Sequence, residues 1–151
     1  DSSDPDEQPT AVACETECGR TMDQAQPLVI FSEVVDGEVL PMLTICASAQ
    51  EVASYGRAVG SFPEGDSVPP TLLLAFAMAE MTAVMPLPPS TLHVGQELTL
   101  RRAVCIGEHL EARFVFRNRR RSSGNTLHRF DLMIFSDQEI VADGRIGLQT
   151  A

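Results

Sequence analysis

Apolar positions along this chain change their spacing near its middle. From about Thr71 to Met85 they occupy nearly every face of a helix, with Glu80 the only charge, and prolines bound the stretch at Pro69 and Pro70 and again at Pro86, Pro88 and Pro89. Proline in the first turn starts a helix and proline past the last turn ends it. A helix apolar on all sides has to be surrounded by protein. Beyond Thr91 the period falls to two, and Leu110, Ala112, Phe114 and Phe116 alternate with Glu111, Arg113 and Arg117. That alternation predicts half-buried strands, at roughly Val94–Val104, His109–Asn118, Thr126–Ser136 and Ile140–Leu148, with turns at Gly107-Glu108, Ser122–Asn125 and Asp137-Gln138.

Upstream, Leu28–Val35 is rich in β-branched residues and runs into Asp36-Gly37, which reads as a strand and a turn. Met42–Ala47 leads into Ser48, and Ser48-x-x-Glu51 reads as a capping box opening a helix through about Val59, stopped by Gly60. Ser61–Pro70 is a loop. One long buried helix on a strongly curved antiparallel sheet satisfies both periods, which predicts an α+β fold. No internal repeat is present.

With 151 residues, 44% of them hydrophobic, the chain has room for one domain and one core. Its charge of −10 is uneven: residues 1–26 hold seven acids against Arg20, a net of −6, and are nearly free of large apolar groups. They read as an acidic arm, with the folded domain spanning 27–151. An anionic surface makes nucleic acid an unsuitable partner. The run Leu72 to Met85 is too short to span a bilayer and no leader pattern is visible, so no membrane partner and a cytoplasmic location are expected.

The four cysteines are too few for a disulfide framework in a chain of this length. Cys46 and Cys105 lie in apolar, strand-like segments and read as reduced core thiols. Cys14 and Cys18 form a C-x3-C pair whose surroundings supply no further zinc ligands, so no metal site and no cofactor are expected.

Three segments taken together, ASAQEVASYGRAVG (47–60), VPPTLLLAF (68–76) and LHVGQELTLRRAVCIGEHLEARFVF (92–116), resemble the MaoC-like dehydratases of the hot-dog fold, and among them the N-terminal-type subunits of fatty-acyl dehydratases. The resemblance runs from about Pro27 to Gln149 and rests on the order and spacing of its motifs. It implies a single hot-dog domain, an acyl tunnel beside the central helix, and a homodimer or a heterodimer with a second hot-dog subunit. The implied substrate is an acyl-CoA or an acyl-carrier-protein thioester.

Active members of that family resemble one another in a loop G-D-x-N-P-x-H, whose His and Asp handle the proton and the water. Hydration of an enoyl thioester needs such a pair. This chain reads Gly60-Ser61-Phe62-Pro63-Glu64-Gly65-Asp66, with Ser near the Asp position and Gly at the His position. Three readings follow. The chain is a substrate-binding, non-catalytic partner of an (R)-specific enoyl-thioester hydratase or 3-hydroxyacyl dehydratase; or its pocket is repurposed as a polyketide cyclase or isomerase, relying on proximity; or Glu64 or Asp66 replaces the missing pair.

Candidate catalytic residues are accordingly Glu64, Asp66, Tyr55, whose phenol could meet a substrate oxygen or simply cap the packing, and His93, which a neighbouring subunit could present. His109 and His128 read as surface or packing residues. For substrate binding, the resemblance points to backbone N–H groups at the start of the central helix. Pro69 and Pro70 lack them, leaving Thr71 and Leu72 as first donors. Phe76, Met78, Met81 and Met85 form a soft stripe that reads as core, and that the resemblance would also set along the tunnel. Arg101, Arg102, Arg117, Arg119, Arg120 and Arg121 cluster near one hairpin, either as a solvated turn or as a dock for the phosphate of coenzyme A or phosphopantetheine.

Overall fold

The computed structural model describes residues 28–60 and 65–151. The acidic arm, Cys14, Cys18 and Glu64 lie outside these. Two helices, α1 (Ala49–Val59) and α2 (Pro70–Val84), accompany five strands: β1 (Leu43–Ile45), β2 (Leu92–Leu100), β3 (Leu110–Ser122), β4 (Asn125–Ser136) and β5 (Glu139–Thr150). The strands form one antiparallel sheet in the order β1-β3-β4-β5-β2.

Local chemistry explains the boundaries. Ser48 Oγ accepts the Glu51 N–H and the Glu51 carboxylate accepts the Ser48 N–H, a complete capping box, and Gly60 ends α1 in the left-handed region at φ 69°. The β3–β4 turn places Ser123 and Gly124, and the β4–β5 turn Asp137 and Gln138, at positive φ, which matches the right-handed twist of two-residue hairpins. Gly144 on β5 has no room for a side chain, because a Cβ there would sit 2.0 Å from the Glu97 carbonyl oxygen of β2.

The core lies between sheet and helix, where Phe114, Phe116, Phe130, Leu132, Ile134 and Ile146 meet Leu73, Ala77 and Met81 of α2. Not every face of α2 is covered within one chain: Thr71, Ala75, Ala79 and Ala83, four residues apart, remain exposed. The edge strand β2 is exposed along most of its length, with Leu92 57% and Val94 47% accessible.

Two expectations are corrected. Leu28–Val35 is not a strand: Phe31–Glu33 forms a 3-10 turn, because Phe31 and Val34 are the buried residues and their spacing of three is helical. Strand-like pairing with β3 begins only at Gly37, whose N–H reaches the Phe116 carbonyl at 2.8 Å, and continues at Leu40, whose N–H reaches that of Phe114 at 2.9 Å.

Nor are the cysteines buried thiols. Alternation along β1 buries Leu43, Ile45 and Ala47 and turns Thr44 and Cys46 outward. Cys46 is disulfide-bonded, to a partner not among the described residues, and Cys105 is exposed. Among the described residues no helix is long and apolar enough to cross a membrane.

Candidate functional site

The start of α2 meets the middle of α1. Tyr55, half-buried against the core, directs its phenol at the Thr71 hydroxyl and hydrogen-bonds to it. The capping box holds α1 in register, and Pro69 and Pro70 set the first turn of α2. Of the two amides expected to face a ligand, that of Leu72 is engaged, donating to the Pro69 carbonyl at 3.0 Å. Among the described residues the Thr71 N–H has no acceptor, so it is the amide through which the helix dipole can act on a ligand oxygen.

The segment leading into α2 is laced to the β2–β3 connection. Val68 N–H donates to the Val104 carbonyl at 2.8 Å, Ile106 N–H to the Asp66 carbonyl at 2.7 Å, and Ser67 bridges Cys105. The backbone of Asp66 is thereby anchored while its side chain is exposed.

Glu108 organises that connection. Its carboxylate accepts from both Arg102 terminal nitrogens (2.5 and 3.3 Å), from the Cys105 N–H (2.9 Å) and from the Ser136 hydroxyl (2.8 Å). The Arg102 bond outweighs desolvation and pulls the Glu108 pKa down to about 2. Gly107 N–H ties the loop to the Ala47 carbonyl at 2.8 Å, next to the cap of α1. In the sequence Glu108 reads only as half of the Gly107-Glu108 turn. A lone acid two residues before Leu110 and six after Arg102 was the available signal.

Tyr55, Thr71 and Asp66 are thus carried by elements that converge at one end of α2. His93 is not among them. It lies at the start of β2, beside Leu148 of β5, with its ring Nε2 3.0 Å from the Gly95 carbonyl. Thr71 opens α2 and the connection to β2 follows its far end, about 22 Å away along a helix of 15 residues. His128 is buried and His109 exposed. Among the described residues no histidine is hydrogen-bonded to a carboxylate. Leu72 and Met81 are core, whereas Phe76 and Met78 are half-buried on α2.

The arginine cluster is dispersed. Arg119 turns inward, donating to the carbonyls of Val34 (2.5 Å) and Phe31 and to His128 Nδ1 (3.2 Å), with its guanidinium 4.5 Å from the Phe116 ring centroid. Those bonds remove it from any phosphate dock. Arg101 faces Asp143 at 3.3 Å and Arg117 faces Asp131 at 2.5 Å, while Arg120 and Arg121 are exposed at the hairpin.

No protein-family model matches the chain, nor does any curated protein. Solved structures do. The (R)-hydratase from A. caviae involved in PHA biosynthesis superposes with a TM-score of 0.63 at 17% identity over 77% of this chain and 96% of that one. The HadBC (3R-hydroxyacyl-ACP dehydratase) complex from Mycobacterium tuberculosis gives 0.65 at 16% identity, covering 78% and 98%. A MaoC-like dehydratase from Rhodospirillum rubrum gives 0.64 at 11%, covering 81% and 96%. At such identities the likeness concerns architecture: this chain has the hot-dog fold found in MaoC-like hydratases and dehydratases.

Proposed function

We propose that this chain is the thioester-binding member of a hot-dog pair that hydrates enoyl thioesters or dehydrates 3-hydroxyacyl thioesters, with a second hot-dog chain supplying the proton-transfer groups. The acyl or polyketide thioester carbonyl is received at the start of α2 by the Thr71 N–H and hydroxyl, beside the Tyr55 phenol, and the acyl chain runs along the half-buried Phe76 and Met78. The observation that carries this reading is the combination at that point: a donor amide and two hydroxyls are present, and no histidine–carboxylate pair accompanies them among the described residues. Such a site can bind and polarise a carbonyl, and among the described residues it is not accompanied by the histidine–carboxylate pair that hydration calls for.

A need for a partner agrees with the exposed β2 edge and the exposed small-residue side of α2. One structure of the same fold is a dehydratase complex. The second reading, a pocket repurposed for cyclisation or isomerisation, draws on the same Tyr55–Thr71 bond, with the phenol as the group offered to an enolate oxygen.

The test is native mass and turnover on one sample. The purified chain alone leaves crotonyl- and longer enoyl-coenzyme A unhydrated, and activity appears with an added catalytic hot-dog subunit. A homodimer that hydrates them unaided overturns the proposal and directs attention to Asp66 and Glu64.

A further inference from the structure

A groove of about 540 Å³ crosses the outer face of the sheet, away from α2, where β2, β5, β4 and β3 lie side by side. Its volume falls within the range of metabolite pockets, about 300–1,000 Å³. Two β-bulges build it. On β3 the register shifts between Phe116 and Asn118. Phe116 is buried and Arg119 contacts buried His128, so both point inward, and the two residues between them, Arg117 and Asn118, both point outward. A second shift, between His93 and Gly95 on β2, turns Val94 and Gly95 outward together. Bulges re-aim side chains in this way and recur beside functional sites.

The bulges fall on one row of the sheet, since Asn118 pairs with Arg129, Arg129 with Gly147, and Gly147 with Gly95. The two glycines leave the β5 and β2 end of that row without side chains, and a Cβ on Gly95 would meet nothing within 4 Å. The next row reads Asp131, Arg145, Glu97 across β4, β5 and β2. Arg117 is paired with Asp131 at 2.5 Å, and Arg145 lies between two acids. Among the described residues no carboxylate lies within salt-bridge distance of either Arg145 or Arg129, but Arg145 has an acid on each side along its row, whereas the row neighbours of Arg129 are an amide and a glycine.

We infer that this groove is a binding site for an organic monocarboxylate. Arg129 and Asn118 hold the carboxylate, and the apolar body lies over Gly147 and Gly95 against Val94 and Leu127, whose methyl groups come within 3.5 and 3.8 Å of a Cβ placed on Gly147. Charge selects the class. The lining holds three arginines and two acids, a net of +1, which a monoanion neutralises. A dianionic phosphate would overshoot and face Asp131 and Glu97. A guanidinium fork with an adjacent amide suits the planar carboxylate.

The test is titration of sodium hexanoate, and separately of inorganic phosphate, into the ¹⁵N-labelled full chain, followed by amide chemical shifts. Hexanoate should give saturable shifts at Gly95, Asn118 and Gly147. Arg129→Gln should weaken binding by about tenfold or more, and Gly95→Val, which fills the trough without touching a charge, should abolish it. Both variants lie on an exposed face, and unchanged spectra away from the groove show that they fold. Absence of saturable shifts, shifts that persist in Arg129→Gln, shifts confined to Tyr55 and Thr71, or phosphate binding in place of hexanoate would each overturn the assignment.

Discussion

Arg119 donates from Nε to Nδ1 of His128 at 3.2 Å, which leaves the imidazole proton on Nε2, where it donates to Thr150 Oγ1 at 2.8 Å. Burial first, and the Arg119 charge second, lower the His128 pKa. The unfolded chain therefore takes up this proton before the folded one does. Stability should fall as pH drops through the ordinary histidine range near 6.5 and on to the lower folded value. His128→Asn, which keeps an acceptor toward Arg119, should flatten that part of a stability–pH curve measured by urea unfolding.

Arg119 also joins the 3-10 turn to the sheet through the carbonyls of Phe31 and Val34. Its planar fork and its stacking on Phe116 and Phe31 are features a lysine cannot reproduce. Arg119→Ala should cost about 2–4 kcal/mol, from charged hydrogen bonds and cation–π contact together, and Arg119→Lys should recover little of it. Equilibrium unfolding in urea measures both.

Glu108 gives a second, lower acid transition. With its pKa held at about 2 against an ordinary 4.5, its contribution is present above the ordinary value and is lost as pH falls through the folded one. Glu108→Gln should remove that transition. It should also cost about 1–3 kcal/mol near neutrality, because Arg102 and the Cys105 amide lose a charged acceptor. Circular dichroism followed against pH reads both effects.

Gly144→Ala should be among the most damaging small changes in the chain. The added carbon meets backbone, the Glu97 carbonyl oxygen, and not a side chain that could swing away. Forcing β2 from β5 should cost about 3 kcal/mol or more, whereas Gly95→Ala, with open space around it, should be nearly neutral. Thermal unfolding of the pair separates a packing effect from glycine's backbone freedom.

Elements with a local cause were legible in the residues. Ser48 and Glu51, Pro70 and Gly60, and the alternation from Leu110 to Phe116 each act within a few positions; both helix boundaries and the start of β3 fall within a residue of those read, while β3 runs on four residues past Asn118 to Ser122. Features that depend on contacts distant in sequence were not. Nothing local marks Arg119 as different from Arg120, since what separates them is the Phe116–Asn118 bulge and two carbonyls more than eighty positions upstream. The same bulge created the outer groove, so its lining was invisible to a strict period of two. At the site, Tyr55 and Thr71 were each legible as candidates, but their hydrogen bond joins positions sixteen apart on two helices and has no local mark, and the role of Glu108 depends on Arg102, Cys105 and Ser136 around it.

The most direct test of the central claim is calorimetric titration of a 2-oxoalkyl-coenzyme A, a non-hydrolysable analogue that keeps the carbonyl and sets a methylene between it and the sulfur, into the purified chain, into Thr71→Val and into Tyr55→Phe. Saturable binding to the native chain, weakened about tenfold by each substitution at unchanged stability, is the predicted result, since each removes one hydrogen-bonding group next to the carbonyl. Absence of binding, or equal binding by all three proteins, would contradict a thioester site at the start of α2.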